Sequence, residues 1–226
     1  MSAGGTVAAN KFSVPVRPVT SDFGLPIHKR SWTQSELVAL FPGDPVDVLD
    51  VGAGQYPLRA REGDRTITLD FDASSNPDIV TDFSQNWPVG PESVDFVYMS
   101  HVIEHLYPQD RDRLIRNVFG SMRTGALLFI RVPHWSSIQG TGWEHYTMYG
   151  TNGVTSLTHG KNPNLPRLDL ISAGVWMGGL SQFATQRSFL QSLSESVLNT
   201  SFRLTDCYLC YAVGGIPEVQ FLLRKP

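Results

Sequence analysis

Val48-Leu49-Asp50-Val51-Gly52-Ala53-Gly54 decides the fold of this chain. The apolar run up to Val51 reads as a buried strand, and the glycines after it read as a tight turn at the strand's carboxyl end. Glycine at such a turn lets the backbone pass close to a ligand with no Cβ in the way. Outward from this stretch, Thr66 to Leu69, Ile79 to Val80, Val94 to Met99 and Ala126 to Val132 read as four more short apolar strands. Between the last two of these, Leu114, Ile115, Val118, Phe119 and Met122 lie on one stripe of a helix expected to end near Gly125. The earlier crossovers leave room only for stubby helices, and Pro57 suits the first turn of one. Short apolar strands alternating with helices predict an α/β fold, a parallel sheet covered on both faces.

The flanks read differently. Residues 1–30 carry no sustained periodicity and are expected to form an arm, with 31–226 as one domain. Thr33 reads as the N-cap of a helix reaching Phe41, stopped by Pro42-Gly43. Towards the end, a helix from Gln186 to Leu198 leads into two expected strands, Phe202 to Val213 and Val219 to Arg224. Gly214-Gly215 and Pro217 between them predict an antiparallel hairpin. Residues 133–185 break the pattern. They are glycine-rich, hold three of the five tryptophans, and are expected as an insertion over the carboxyl ends of the strands, where open α/β sheets bind ligands.

Composition narrows the partners. A hydrophobic share of 41% and a charged share of 17% suit a globular domain and exclude a disordered one. The net charge of -3, without a basic stripe, disfavours nucleic acid. No apolar run is long enough to span a membrane, and Met1 to Asn10 lacks the order of a signal peptide, so a cytoplasmic protein is expected. Cys207 and Cys210 are too few for a disulfide framework. On the expected strand they would face opposite ways, a poor redox or zinc pair.

Asp70, ending the second strand, lies 18 residues beyond Gly52. A carboxylate there can accept both ribose hydroxyls of an adenosine, a geometry shared by nicotinamide and S-adenosylmethionine (SAM) sites. Three details favour SAM. Tyr56-Pro57 stands where a dinucleotide fingerprint has its third glycine and makes a poor floor for a pyrophosphate. Asp82 ends the third strand beside Phe83, where adenine's amino group and ring face would lie. The chain is expected to close with the antiparallel hairpin and to carry no second catalytic domain. A nicotinamide oxidoreductase is thereby the weaker reading, and a non-catalytic SAM-binding module the other rival.

These segments, with Ser93-Val94-Asp95-Phe96-Val97 leading into Ser100-His101-Val102-Ile103-Glu104-His105-Leu106, resemble the ordered motifs of class I SAM-dependent methyltransferases. The nearest branch is the type 11 group, which includes tailoring enzymes for sugars and small metabolites. Arg123-Thr124-Gly125-Ala126 is similar to that group's turn into strand five, with Ala126 in place of a glycine. The resemblance covers about residues 44 to 133. It implies a Rossmann-like, doubly wound sheet of about seven strands in the order 3-2-1-4-5-7-6, the seventh antiparallel. It also implies Gly52 and Gly54 at the methionine end of SAM, Asp70 at the ribose and Asp82 at the adenine. Asp50, Ala53, Phe71, Phe83 and Ser100 complete the expected cofactor contacts.

Five of the six histidines fall between His101 and His159. Ser100 is expected to cap a helix on which His101, Glu104 and His105 share one face. His105 or His101 would then serve as general base, with Glu104 holding the ring's other nitrogen. A divalent metal on His101, Glu104, His105 and His134 is the less favoured alternative; some metal-dependent members of the superfamily carry a similar Glu-x-x-Glu-His motif. His134, Trp135, Trp143, His145 and Tyr146 are the expected contacts to a small-molecule acceptor, and Arg131 and Arg167 suit an anion on it.

Overall fold

The computed structural model describes residues 28–160, 162–178 and 188–226. The expected arm up to residue 27, and the start of the helix expected from Gln186, lie outside the described residues. Eight strands make one sheet: β1 (His28–Lys29), β2 (Asp47–Val51), β3 (Arg65–Asp70), β4 (Ile79–Val80), β5 (Val94–Ser100), β6 (Met122–Pro133), β7 (Asp169–Trp176) and β8 (Glu218–Arg224). Their spatial order is β1-β7-β8-β6-β5-β2-β3-β4. β8 runs antiparallel to β6 and β7, and the other pairs are parallel. With the short edge strand β1 set aside, this is the order 3-2-1-4-5-7-6.

The alternation of side chains along each strand builds two cores. Leu49, Val51, Val97, Met99, Leu128 and Ile130 face one way and pack against Leu114, Ile115 and Val118 of the first long helix, Pro108–Ser121. Val48, Phe96, Tyr98, Leu127 and Phe129 face the other way and meet Trp32, Leu37, Leu40 and Phe41. That second face is covered by the chain around α1 (Gln34–Val38). Its N-cap Thr33 accepts from the Glu36 N–H while the Glu36 carboxylate accepts from the Thr33 N–H. Each fully buried Leu or Phe here contributes roughly 1.5–3 kcal/mol.

Three expectations are corrected. No helix follows β2: residues 52–64 form a turn-rich loop. Gly52, Gly54 and Gly63 take φ of +69°, +53° and +92°. The Leu58 N–H donates to Asp50 Oδ2 at 2.7 Å instead of to a helical carbonyl. The helix α2 (Pro108–Ser121) stops short of Gly125, and Met122 already belongs to β6. The third correction concerns the chain's end. The antiparallel partner of β8 is β7, inside the stretch expected as an insertion, and residues 202–212 are helical. Phe202, Thr205 and Cys210 are buried there while Arg203, Leu204, Cys207 and Tyr208 are exposed, a helical stripe hidden in an apolar run. Cys207 and Cys210 are both free, one exposed and one buried. Among the described residues, no helix is long and apolar enough to cross a membrane.

Candidate active site

The glycine turn sits at the carboxyl end of β2 and is tied to β3, because the Gly52 and Ala53 N–H groups both donate to the Leu69 carbonyl. A Cβ on Gly52 would come 2.5 Å from Val102 Cγ2, and its φ is left-handed, so glycine is required there on two counts. Asp70 braces the same turn. Its Oδ2 accepts from the Gly54 N–H at 2.7 Å and its Oδ1 from the Asp72 N–H at 2.9 Å. A carboxylate has about four lone-pair sites, so about two remain for a ligand.

Two cavities open beside this turn. A cleft of about 890 Å³ is walled by Gly52, Gly54, Asp70, Phe71, Asp82 and Phe83 on one side and by His101, His105, Tyr107, Glu144 and Tyr146 on the other. A smaller one of about 190 Å³ is lined by Asp50, Gly52, Ala53, Gly54, Tyr98, Ser100 and His101. The nine positions expected at a cofactor each line one of the two. Asp82 also caps its own turn, accepting from the Ser84 N–H and hydroxyl.

Burial pushes the Asp50 carboxyl up to about 7, the Leu58 N–H pulls it back in part, and the nearby Asp70 charge adds to the rise. A carboxyl raised in this way from 3.8 stabilises the fold while protonated. Its contribution is full below pH ~4 and is lost as pH rises to ~7. Asp50→Asn is therefore expected to gain Tm over the wild type, and to gain more at pH 8 than at pH 5. Equal gains at the two pH values in thermal melts would show that Asp50 titrates as an ordinary carboxyl.

The histidines do not share a helix face. Ile103–His105 is a single 3-10 turn, Val102 precedes it, and no side chain caps it, so Ser100 is not an N-cap. His101 has φ of +59°, outside the right-handed helical region. Its Nδ1 lies 3.3 Å from Glu104 Oε1 and its Nε2 3.0 Å from Glu218 Oε1. Burial opposes a charge on His101, but the two carboxylates outweigh it and push the pKa up to about 9. With its pKa raised in this way His101 is mostly imidazolium at neutral pH, which has no lone pair to offer, so the geometry favours His105 over His101 as the base.

His105 is exposed, and its Nδ1 lies 3.3 Å from the Glu144 carbonyl. A hydrogen donated there leaves Nε2 as the ring's acceptor. The His145 ring meets it edge-on, 4.6 Å between centroids at 79°. The Tyr146 N–H donates to the Glu104 carbonyl at 2.8 Å and so pins this loop to the 3-10 turn. Burial, and then the neighbouring His105, pull the His145 pKa down.

The remaining acceptor candidates divide. Tyr146 lines the cleft and stacks on Tyr107 at 4.1 Å. His134 is buried away from the histidine pair, its Nε2 3.1 Å from Asp206 Oδ1 and its Nδ1 2.8 Å from Ser136 Oγ. Trp135 packs on His134 and Tyr211, and the indole of Trp143 is 98% exposed; neither lines the cleft. Arg131 is buried against Glu218, and Arg167 is exposed outside both cavities. Tyr107 and Glu218 were missed by the sequence reading, while Glu144, part of the Trp143-Glu144-His145-Tyr146 cluster read as an acceptor contact, lines the cleft. Glu218 carried a signal all the same, as an acid heading a mostly apolar strand, since a buried acid needs a partner.

A family model described as a methyltransferase domain matches residues 28–189. Among solved structures, a SAM-dependent methyltransferase from Archaeoglobus fulgidus superposes with a TM-score of 0.59 at 17% identity, over 84% of this chain and 90% of that one. The N-methyltransferase NodS from Bradyrhizobium japonicum WM9, in complex with S-adenosyl-L-homocysteine (SAH), gives 0.55 at 13% identity over 85% of each chain. The cyclase SpnF gives 0.53 at 14% identity, over 82% of this chain and 76% of that one. At these identities the likeness is one of fold. The sequence matches no curated protein.

Proposed function

Since the chain belongs to the methyltransferase-domain family, whose model spans residues 28–189, we propose that it moves a methyl group from SAM to a hydroxyl on a small metabolite or sugar. The observation that carries this reading is the continuity of the 890 Å³ cleft from the glycine turn and Asp70 to His105 and Tyr146. Its volume lies within the ~300–1,000 Å³ usual for small-molecule sites. In this reading Gly52 and Gly54 lie against the methionine end, Asp70 takes the ribose hydroxyls, and Asp82 with Phe83 meets the adenine. The acceptor then occupies the end bounded by His105, Tyr107 and Tyr146, where the stacked tyrosines suit a sugar face or planar ring.

The charges support the same reading. Asp72, Asp82, Asp110 and Glu144 line the cleft, an acidic rim that attracts a sulfonium cation and repels a nucleic-acid backbone. In the reaction the S–CH₃ bond breaks as the new O–CH₃ bond forms, and the hydroxyl proton leaves on the side of His105. Positioning supplies most of the rate, with acid–base help second. Glu104 acts beside His105, and His101 acts through Glu104.

Calorimetry with SAH, followed by transfer of labelled methyl from SAM to a panel of sugars and hydroxylated metabolites, tests this. One SAH per chain and label on a hydroxyl are expected. No SAH binding would sink the donor assignment, binding without any transfer would favour a pure binding module, and label on nitrogen alone would sink the hydroxyl.

A further inference from the structure

Glu104, His105 and His145 cluster beside the acceptor end of the cleft, which His105 lines. We propose that these three side chains bind one divalent first-row cation, Zn²⁺ or Mn²⁺, with its remaining coordination positions open to the acceptor. The proposal rests on the reading above only in taking this end as the acceptor side.

One donor atom from each of the three residues lies within 4.8 Å of the other two. Small side-chain rotations bring all three to ~2.1 Å from a shared ion. The arrangement is held by backbone, because the Tyr146 N–H bond to the Glu104 carbonyl fixes the loop carrying His145 over the turn carrying Glu104 and His105. Glu104 is the strongest pointer. It is 1% exposed, and among the described residues neither of its carboxylate oxygens accepts a well-formed hydrogen bond. The His101 ring lies 3.3 Å from Oε1, and a carboxylate oxygen of Glu104 lies within 4.8 Å of a ring nitrogen of each of His105 and His145. The His101 imidazolium offsets part of the cost of burying this carboxylate, and a second cation beside it offsets more.

His105 supplies the second pointer. Its Nδ1 is engaged with the Glu144 carbonyl, which leaves Nε2 to ligate. Metal-bound histidines almost always anchor their other nitrogen in this way. One carboxylate and two imidazoles suit Zn²⁺ or Mn²⁺ better than Mg²⁺ or Ca²⁺, which prefer all-oxygen shells. Three protein ligands with a position left open is the pattern of a catalytic site. This set differs from the one weighed in the sequence: His101 is turned to Glu218, and His134 to Asp206. With the cation in place, His105 is a ligand and does not take the proton; the cation lowers the pKa of the acceptor hydroxyl bound to it, and the proton passes to water.

Tag-free chain stripped of metal with a chelator and titrated with Zn²⁺ and, separately, Mn²⁺ tests the site by calorimetry. One ion per chain is expected. Affinity should fall at least ~100-fold in His145→Gln and in Glu104→Gln, since even outer partners of a metal site are worth up to ~100-fold. His159→Gln, at an exposed histidine outside the cluster, should leave it unchanged. SAH titrated into His145→Gln should bind within a few-fold of the wild type, which shows that the variant is folded and that the donor wall is separate. Should Glu104→Gln fail to fold, His145→Gln alone decides. Cation affinity that survives His145→Gln, or no cation bound to the wild type, overturns the proposal. One cation bound to a chain that takes no SAH supports this site and sinks the donor assignment instead.

Discussion

Asp70→Ala is expected to weaken SAH binding by at least ~100-fold. In the free protein the carboxylate accepts from the Gly54 and Asp72 N–H groups at 2.7 and 2.9 Å. These bonds set the shape of the turn before any ligand arrives. In the proposed complex, the remaining lone pairs take the ribose hydroxyls. A hydrogen bond to a charged group contributes about 1.5–3 kcal/mol, so two lost at the ribose alone amount to at least ~3 kcal/mol, which is about 100-fold in Kd. The loosened turn adds to that. Asp82→Ala should cost far less, because Asp82 is exposed and its Oδ1 already serves Ser84. Calorimetry on both variants, with circular dichroism to show that the fold is kept, makes the comparison. An Asp70→Ala affinity within fivefold of the wild type would mean that the adenosine does not sit on this carboxylate.

The parts of this molecule that were legible in the sequence are those decided within a few residues. β2 and its turn followed from a short apolar run and two glycines, and the turn needs glycine because Gly52 and Gly54 are left-handed. Strand order came by resemblance, because pairing is a property of distant segments. What escaped was decided by tertiary context. Asp169–Trp176 read as part of an insertion until β8 was seen to pair with it along seven registered positions. Phe202 to Ala212 carried enough aromatic and branched residues to read as a strand, yet its burial follows a helical stripe. The histidine reading failed for a backbone reason. The left-handed turn at His101 breaks the helix that was to align it with His105, and a single 3-10 turn takes its place. His145 then enters from a loop about forty residues away, a distance no local spacing rule spans.

Glu218→Gln is expected to lower stability by about 3–5 kcal/mol, a fall in Tm on the order of 10 °C. Glu218 is fully buried, and it divides its carboxylate between two cations. Oε2 accepts from Arg131 Nε and Nη2, each at 2.5 Å, and Oε1 lies 3.0 Å from His101 Nε2. Glutamine keeps the shape but removes the charge that both cations face, and it turns one acceptor into a donor. The surface pair Arg224–Asp169, with its side chains 42% and 39% exposed, is the natural control. Breaking it should cost no more than about 1 kcal/mol, since water screens an exposed pair. Burial rather than the number of ion pairs therefore decides the size of the effect, and equal losses in the two variants would refute that. The same variant also reads out function. His101 bridges Glu218 to Glu104, so a chain of buried charges runs from Arg131 in the sheet to the turn beneath the cleft. If that chain holds the turn, Glu218→Gln lowers methyl transfer further than SAH affinity, because Glu104 sits at the acceptor end while Asp70 and the glycines do not depend on it. If backbone hydrogen bonds alone hold the turn, Tm falls and the ratio of transfer to binding stays where it was.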